Sequence, residues 1–292
     1  MPASAAVTLL DQFSSVFRSA DKPVYKHEPL SLRRALVFTD LPSDESQRWL
    51  AQVRDFVGGL PALADVDWRL VPGEECDTIG ELLARVSDLD PHLVVTFRNL
   101  HSSAWQWPHS LSDHLEVLTQ VTDAPVLLMP RPDREGVWAD AKTGTADVLT
   151  LTDHLSGDAR LIRHSVAFAS AGARLHLTHV EDDAVFERYL RAISRIPEID
   201  TELARRVILA QLLKEPRDYI DSVATELQAV GVQAQVEAQV TSGHRLGEYR
   251  RLIEAHAVDL LVMNTKDEDQ LAMHGLSYPL AVELRDVPML LL

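Results

Sequence analysis

Residues Asp65–Val95 read DVDWRLVPGEECDTIGELLARVSDLDPHLVV, and residues Val232–Val262 read VQAQVEAQVTSGHRLGEYRRLIEAHAVDLLV. These two matched stretches decide the fold. They have equal length and align without a gap, which places Gly80-Glu81 on Gly247-Glu248 and Leu93–Val95 on Leu260–Val262. The pattern in each stretch predicts a strand, a helix and then an apolar strand.

Two further matches extend this repeat. Leu36–Asp40 matches Leu149–Asp153 before the long stretch, and Asp123–Val126 matches Asp286–Met289 after it. The interval between the first match and the long stretch is much shorter in the first half than in the second. We therefore expect the first half to lack one helix–strand–helix passage, with no counterpart of the strand predicted at Arg174–Val180.

Apolar runs and helical periodicity predict the individual elements. In the first half, strands are expected at 33–40, 66–71, 92–97 and 125–129, and helices at 45–57, 78–89 and 111–121. In the second half, strands are expected at 147–153, 174–180, 233–240, 260–263 and 288–292. The remaining helices are expected at 159–171, 185–230 and 244–257, the long one interrupted near Pro197 and Pro216.

Strands that alternate with helices imply parallel pairing and right-handed crossovers, so the predicted fold class is α/β. We predict two doubly wound parallel-sheet domains, the first of them truncated. The predicted divisions are an N-terminal lead-in at 1–32, a first domain at 33–130, a linker at 131–146 and a second domain at 147–292. The lead-in places Val7, Leu10, Phe13 and Phe17 at helical spacing, which favours a short helix.

Composition limits the partners that can be expected. Acidic residues number 44 and basic residues 28, and a formal charge of −16 argues against a nucleic-acid partner. No apolar run approaches the roughly 18 residues of a membrane span, so membrane insertion is not predicted. The start of the sequence lacks the features of a secretory signal. Cys76 is the single cysteine, which favours a reducing, cytoplasmic location.

In these repeated motifs the chain resembles the universal stress protein family. An apolar strand ends in Thr39-Asp40 and again in Thr152-Asp153, and a closing strand follows Asp123–Pro125 and Asp286–Pro288. The resemblance covers the sequence from Arg33 to Leu292. It implies a five-stranded doubly wound domain that is present twice, with the first copy truncated.

The resemblance also implies how the halves assemble. Closing strands in this family often pair with one another, and an exposed apolar edge invites such pairing. We therefore expect Val126–Met129 to pair with Met289–Leu292 within the chain. Self-association beyond this intramolecular pairing is left open.

Family members that bind ATP carry a loop after the fourth strand that reads Gly-x-x-Gly, about nine residues, then Gly-Ser/Thr. Glycines let the backbone approach phosphates and direct its N–H groups towards them. The second-half loop, 264–277, retains only Gly275 and Ser277 and carries three carboxylates at Asp267–Asp269. The first-half loop, 98–108, contains no glycine.

The adenine side of the site is also incomplete. Asp153 and Val180 occupy positions that line the adenosine pocket in nucleotide-binding members, so the candidate cofactor-binding set is Asp153, Val180, Gly275 and Ser277. Asp40 is the first-half counterpart of Asp153. Each of these two aspartates either contacts a ligand or has a capping or other structural role, since both end strands at the carboxyl edge of the sheet.

Other chemistry is weakly supported. The sequence has no GxxxxGK[ST], no GxGxxG after a strand and no GxSxG, so P-loop, Rossmann and nucleophile-elbow sites are not predicted. His176 and His179 are three apart on a strand and so face opposite sides. His101, His109 and His114 lack helical i, i+4 spacing. No metal site and no catalytic residue are predicted.

Trp105 and Trp107 are expected to be buried or, if exposed, to anchor a partner.

These observations predict a tandem universal stress protein-like chain that acts as a non-catalytic regulatory or protein-interaction module in stress response. Its nucleotide sites are degenerate, so no bound cofactor is expected, and its protein partner is not identified by sequence. The alternative is a member that binds ATP or AMP through its second domain. An enzyme, such as a slow ATPase, is a third hypothesis that no residue grouping supports.

Overall fold

The computed structural model describes residues 22–103, 110–152, 155–265 and 277–292. Its strands are β1 (Arg34–Phe38), β2 (Asp67–Val71), β3 (Leu93–Phe97), β4 (Val126–Met129), β5 (Asp147–Leu151), β6 (Ala173–Asp182), β7 (Ala234–Gly243), β8 (Leu260–Met263) and β9 (Met289–Leu291). Its α-helices are α1 (Ser43–Phe56), α2 (Ile79–Leu89), α3 (Asp113–Val121), α4 (Ala159–Ala167), α5 (Asp183–Ile193), α6 (Thr201–Ala229), α7 (Arg245–His256) and α8 (Ser277–Glu283). Among the described residues, no helix is both long enough and apolar enough to cross a membrane.

The fold is α/β. The strands form one mixed sheet with the order β2-β1-β3-β4-β9-β8-β5-β6-β7. Every neighbouring pair is parallel except β4 and β9, which are antiparallel. The predicted pairing of the two closing strands is confirmed, because Leu127 lies opposite Leu290 and Val126 opposite Leu291. The central strands are continuous apolar runs, as expected for strands covered on both faces.

The position of β2 corrects one expectation about the repeat. The described residues hold four strands in the first half and five in the second, as the shorter interval in the first half predicts. The gap-free alignment, however, matches β2 with β7, and these two strands occupy different places. β2 pairs directly with β1, whereas β7 is separated from β5 by β6. β2 therefore takes the position of β6, because an unpaired flank of β1 would leave backbone groups without partners.

Two helices also differ from expectation. The interruption near Pro197 is present between α5 and α6, but α6 runs through Pro216 without a break. A proline inside a helix costs about 3 kcal/mol, and burial of the following turns offsets this cost. The buried residues of that part of the helix are Tyr219, Ile220, Val223 and Leu227. The short helix α8 was not predicted.

The lead-in segment contacts helix α6, and the linker contacts helix α1. Residues 22–32 have no regular secondary structure and contact α6, where the backbone N–H of Tyr25 donates to Ser222 Oγ at 3.1 Å and that of His27 donates to Glu226 Oε1 at 3.1 Å. The helix expected around Val7–Phe17 lies outside the described residues. In the linker, Trp138 is buried with its ring edge-to-face against Phe56, at 5.4 Å between centroids.

Candidate functional site

Asp40 lies in the loop that follows β1, at the carboxyl edge of the first half. Its carboxylate accepts two hydrogen bonds from Arg131 Nη2, at 3.1 and 3.2 Å, and one from the backbone N–H of His101 at 2.8 Å. The side chains of Asp40 and Arg131 are 13% and 25% exposed, so this ion pair is largely shielded from water. Three hydrogen bonds from two donor groups occupy most of the acceptor sites of this carboxylate and leave it little capacity for a ligand.

Arg131 also closes the end of β3. Its Nη1 donates to the carbonyl of Asn99 at 2.8 Å and to that of Arg98 at 3.2 Å, and its guanidinium lies 5.0 Å from the centre of the Phe97 ring. Arg131 comes two residues after β4, and it therefore reaches back across the edge of the sheet from the predicted linker. The guanidinium occupies the space into which the β1 loop faces.

The capping alternative for Asp40 is wrong. The residue that precedes α1 is Pro42, which makes no side-chain capping bond, and Asp40 points to Arg131 instead. The hydroxyls of Thr39 and Ser46 hold the turn between them: Thr39 Oγ1 accepts from the N–H of Leu41 at 3.0 Å, and Ser46 Oγ donates to the carbonyl of Leu41 at 2.9 Å. Asp40 thus has a structural role in the first half.

Two of the three grouped histidines lie together in the first half. The rings of His101 and His114 are 5.1 Å apart, and His101 Nδ1 lies 3.7 Å from Asp77 Oδ1. Burial lowers the pKa of His101, with nearby Asp40 opposing that shift. His109, Trp105 and Trp107 lie outside the described residues.

The carboxyl edge of the second half is also lined by paired groups. Val180 is buried in β6, and its carbonyl accepts a hydrogen bond from Arg245 Nε at 3.1 Å. The carbonyl of Thr152, at the end of β5, accepts from the Tyr249 hydroxyl at 3.0 Å. Both donors lie on α7, so one helix serves the ends of two strands. Next to Val180, burial raises the pKa of Glu181, although Arg245 opposes this effect.

Ser277 lies at the start of α8, beside the end of β8. Its hydroxyl donates to the carbonyl of Asn264 at 2.6 Å, and Asn264 Nδ2 donates to Asp158 Oδ2 at 2.6 Å. Of the four predicted site residues, Val180 and Ser277 are therefore placed at strand ends. Asp153 and Gly275 lie outside the described residues.

Sequence reasoning missed the side chains that close these strand ends. Arg131, Arg245 and Tyr249 belong to no motif, because each acts through hydrogen bonds to backbone carbonyls or to one carboxylate. The one available signal was the position of Arg131, a cation two residues after a closing strand in an acidic chain. Beside it, a cleft of about 560 Å³ is lined by Leu41, Arg131, Asp133, Arg134 and Val137.

Comparison with known proteins gives similarity at the level of structure. No protein-family model matches the chain, and no curated protein does so. A putative universal stress protein from Pseudomonas aeruginosa UCBPP-PA14 is 14% identical, with a TM-score of 0.48, over 89% of this chain and 93% of its own. A universal stress protein from Archaeoglobus fulgidus DSM 4304 is 12% identical, with a TM-score of 0.46, over 90% and 96%. Hypothetical protein MJ0577 is 19% identical, with a TM-score of 0.38, over 51% and 96%.

The sheet order itself defines the class of protein. The second half has five strands in the order β7-β6-β5-β8-β9, with parallel neighbours and helical connections, and the first half has four of the same kind. The chain is a doubly wound α/β protein, and universal stress proteins are among the solved structures similar to it.

Proposed function

We propose that this chain is a non-catalytic regulatory or protein-interaction module of the universal stress protein type, acting in the cytoplasm. Its two halves would correspond to two nucleotide sites that have both degenerated. On this proposal the sheet is a scaffold, and its carboxyl edges no longer serve ATP or AMP.

The observation that carries the proposal is the internal pairing of polar groups at both edges. In the first half, Arg131 and the backbone N–H of His101 donate hydrogen bonds to the Asp40 carboxylate. In the second half, side chains of α7 donate hydrogen bonds to the carbonyls of Thr152 and Val180. Ligand groups would have to displace these bonds, and each buried group left without its partner costs about 1–3 kcal/mol.

The charge of the second-half loop adds to this cost. The sequence of the loop that binds phosphates in nucleotide-binding relatives contains three carboxylates here, at Asp267–Asp269. Each like-charge pair at 4 Å costs about 1 kcal/mol even in bulk water. Several such pairs exceed what the neighbouring Lys266 offsets, so a triphosphate without a metal is disfavoured.

A second candidate is binding of ATP or AMP by the second half. It is favoured by topology, because β5 lies between β6 and β8, and open α/β sheets bind ligands where the strand order reverses. Val180 and Ser277 lie at that edge. Bound Mg²⁺ would convert the Asp267–Asp269 carboxylates into ligands and remove the electrostatic objection.

Calorimetric titration of the full chain with ATP and with AMP, each with and without Mg²⁺, tests the two candidates. The first candidate predicts no dissociation constant below about 10 µM, which corresponds to roughly 7 kcal/mol of binding free energy, under any of the four conditions. Tight binding of ATP or AMP without metal contradicts it. Tight binding that requires Mg²⁺ supports the second candidate.

Two variants identify the half that binds, if either does. Ser277→Ala removes a hydroxyl at the second-half edge, and Asp40→Asn removes the corresponding carboxylate charge in the first half. Loss of binding in Ser277→Ala with retention in Asp40→Asn would support the second half as the nucleotide site. The reverse result would contradict the proposal that Arg131 occupies the Asp40 carboxylate in place of a ligand.

A further inference from the structure

Three side chains with metal-binding atoms meet at the amino edge of the second half, opposite the strand ends discussed above. His176 on β6, Glu237 on β7 and His256 at the end of α7 each offer one nitrogen or oxygen atom, and these atoms all lie within 4.8 Å of one another. His176 and Glu237 are direct partners in the β6–β7 register, so their side chains share one face of the sheet. The rings of His176 and His256 are 4.2 Å apart.

The hydrogen bonding of His176 determines which of its nitrogens faces the group. His176 is fully buried, and its Nε2 lies 3.0 Å from Asp147 Oδ1. The other oxygen of Asp147 accepts from Arg174 at 2.7 Å, which keeps this carboxylate an acceptor. Nε2 therefore carries the hydrogen, and in a neutral ring Nδ1 carries the lone pair.

Nδ1 of His176 lies close to a carboxylate oxygen. Nδ1 of His176 lies 3.2 Å from Glu237 Oε2, yet it has no hydrogen-bond partner among the described residues. Two electron-rich atoms at this distance repel each other unless a cation lies between them. A proton would bridge only the nitrogen of His176 and the oxygen of Glu237, whereas a metal ion would also bind the nitrogen of His256.

We propose that His176, Glu237 and His256 bind one transition-metal ion of the zinc class, with Asp147 as the positioning residue for His176. Two imidazoles and one carboxylate favour zinc-like ions over Mg²⁺ or Ca²⁺, which prefer oxygen ligands. A carboxylate that holds the second nitrogen of a metal-bound histidine is a recurrent arrangement. The ion would tie β6, β7 and α7 together.

The dimensions and access suit this ion. Tetrahedral zinc with bonds of about 2.0–2.1 Å places its ligand atoms roughly 3.3 Å apart, so small side-chain rotations bring the three atoms together. Glu237 is 38% exposed while His176 is fully buried, so the ion has an entry path from solvent on one side. Water would complete its coordination there.

The test uses the full chain without a polyhistidine tag, stripped with a chelator and titrated with Zn²⁺ against a chromogenic competitor. We expect one equivalent bound with a dissociation constant below about 10 µM. Co²⁺ in place of Zn²⁺ should give the absorption bands of a four-coordinate site. A dissociation constant for Zn²⁺ above that value overturns the proposal.

Variants locate the site. His256→Ala and Glu237→Gln should each weaken Zn²⁺ binding at least tenfold, and Asp147→Asn should weaken it about 10–100-fold, the usual effect of losing a carboxylate behind a histidine ligand. His256→Cys retains a ligand and should retain binding, which separates loss of a ligand from loss of folding. The matched control is His114→Ala, from the other histidine pair, and it should bind as the wild type does. Binding that survives His256→Ala, or that is lost in His114→Ala, contradicts the proposal.

Discussion

The two halves differ most at the strand beside their first strand. In the first half that strand is β2, which is five residues long, half-exposed and at the edge of the sheet. In the second half it is β6, which is ten residues long, mostly buried and covered on its far side by β7. The shorter first half therefore has no gap beside β1, because β2, the next strand along the chain, pairs with it.

This comparison teaches that a shorter, more exposed strand is tolerated at the edge of a parallel sheet and not at its centre. The outer strand β2 buries little, while β9 lies between β4 and β8 with every residue buried. The last strand of the second half thus completes the core of both halves, and the two are expected to unfold together.

The largest predicted effect tests this junction. Leu127→Ala and Leu290→Ala remove fully buried side chains that lie opposite each other across β4 and β9, and each should lower the free energy of unfolding by about 2–5 kcal/mol. The double variant should lose less than the sum by about 0.5–3 kcal/mol, because the two share one contact. Denaturant unfolding measures all three.

Leu70→Ala on the partly exposed edge strand β2 is the matched control, and it should cost well under half as much as Leu290→Ala. Equal costs at the edge and at the junction would contradict the view that the halves share a core. Two separate unfolding transitions in the wild type would do the same.

The second prediction concerns a buried histidine on the first helix of the second half, which the first helix of the first half lacks. His164 on α4 is 5% exposed and burial lowers its pKa to about 4, whereas α1 carries no histidine. Because an unfolded histidine titrates near 6.5, the unfolded chain binds more protons between pH 6.5 and 4. Stability should therefore fall as pH drops through that window, by about 3 kcal/mol in total.

His164→Leu should flatten this part of the curve of unfolding free energy against pH while leaving the curve above pH 7 with the same slope. His92→Ala, at a partly exposed histidine of the first half, is the control. An unchanged acid slope in His164→Leu would assign the titration to other groups.

The third prediction tests the closed edge of the first half. Arg131→Ala removes a guanidinium that holds Asp40 and two carbonyls, and we expect a loss of about 2–3 kcal/mol, because a partly buried carboxylate is left without its partner. Arg134→Ala, an exposed arginine that lines the same cleft, should change stability by less than about 0.5 kcal/mol.

Asp40→Asn in the Arg131→Ala background distinguishes the ion pair from simple packing. Removal of the orphaned charge should recover part of the lost stability. No recovery would indicate that the aliphatic part of Arg131 and its contact with Phe97 carry the effect.

The sequence predicts the fold well because the strands are apolar runs whose boundaries follow from periodicity. β8 at Leu260–Met263 and the pairing of the closing strands were both predicted. The place of β2 was not, because an alignment of residues does not specify which strand supplies the neighbour of β1. The continuous helix through Pro216 was not predicted, because proline has a low helix propensity. In the structure, burial of the turns that follow outweighs this propensity.

The candidate sites were less predictable, because they depend on residues far apart in sequence. Asp40 and Arg131 are 91 positions apart, and His176 meets Glu237 and His256 only through the β6–β7 register and the end of α7. Pairwise spacing of histidines along one strand could not reveal that group. A carboxylate on the adjacent strand, at the partner position, was the missing signal.

The smallest predicted effect compares the helices that the repeat matches, α2 and α7. Thr78 closes α2 with a reciprocal capping box, in which Thr78 Oγ1 accepts from the N–H of Glu81 at 3.2 Å and Glu81 Oε2 accepts from the N–H of Thr78 at 3.0 Å. At the start of α7, His244 Nδ1 accepts from the N–H of Gly247 at the longer distance of 3.4 Å. Thr78→Ala should therefore cost about 1 kcal/mol, and His244→Ala only a few tenths. Thr78→Ser, which keeps the hydroxyl, should retain most of the stability in denaturant unfolding. A larger loss in His244→Ala than in Thr78→Ala would mean that His244 serves the second half through more than its cap.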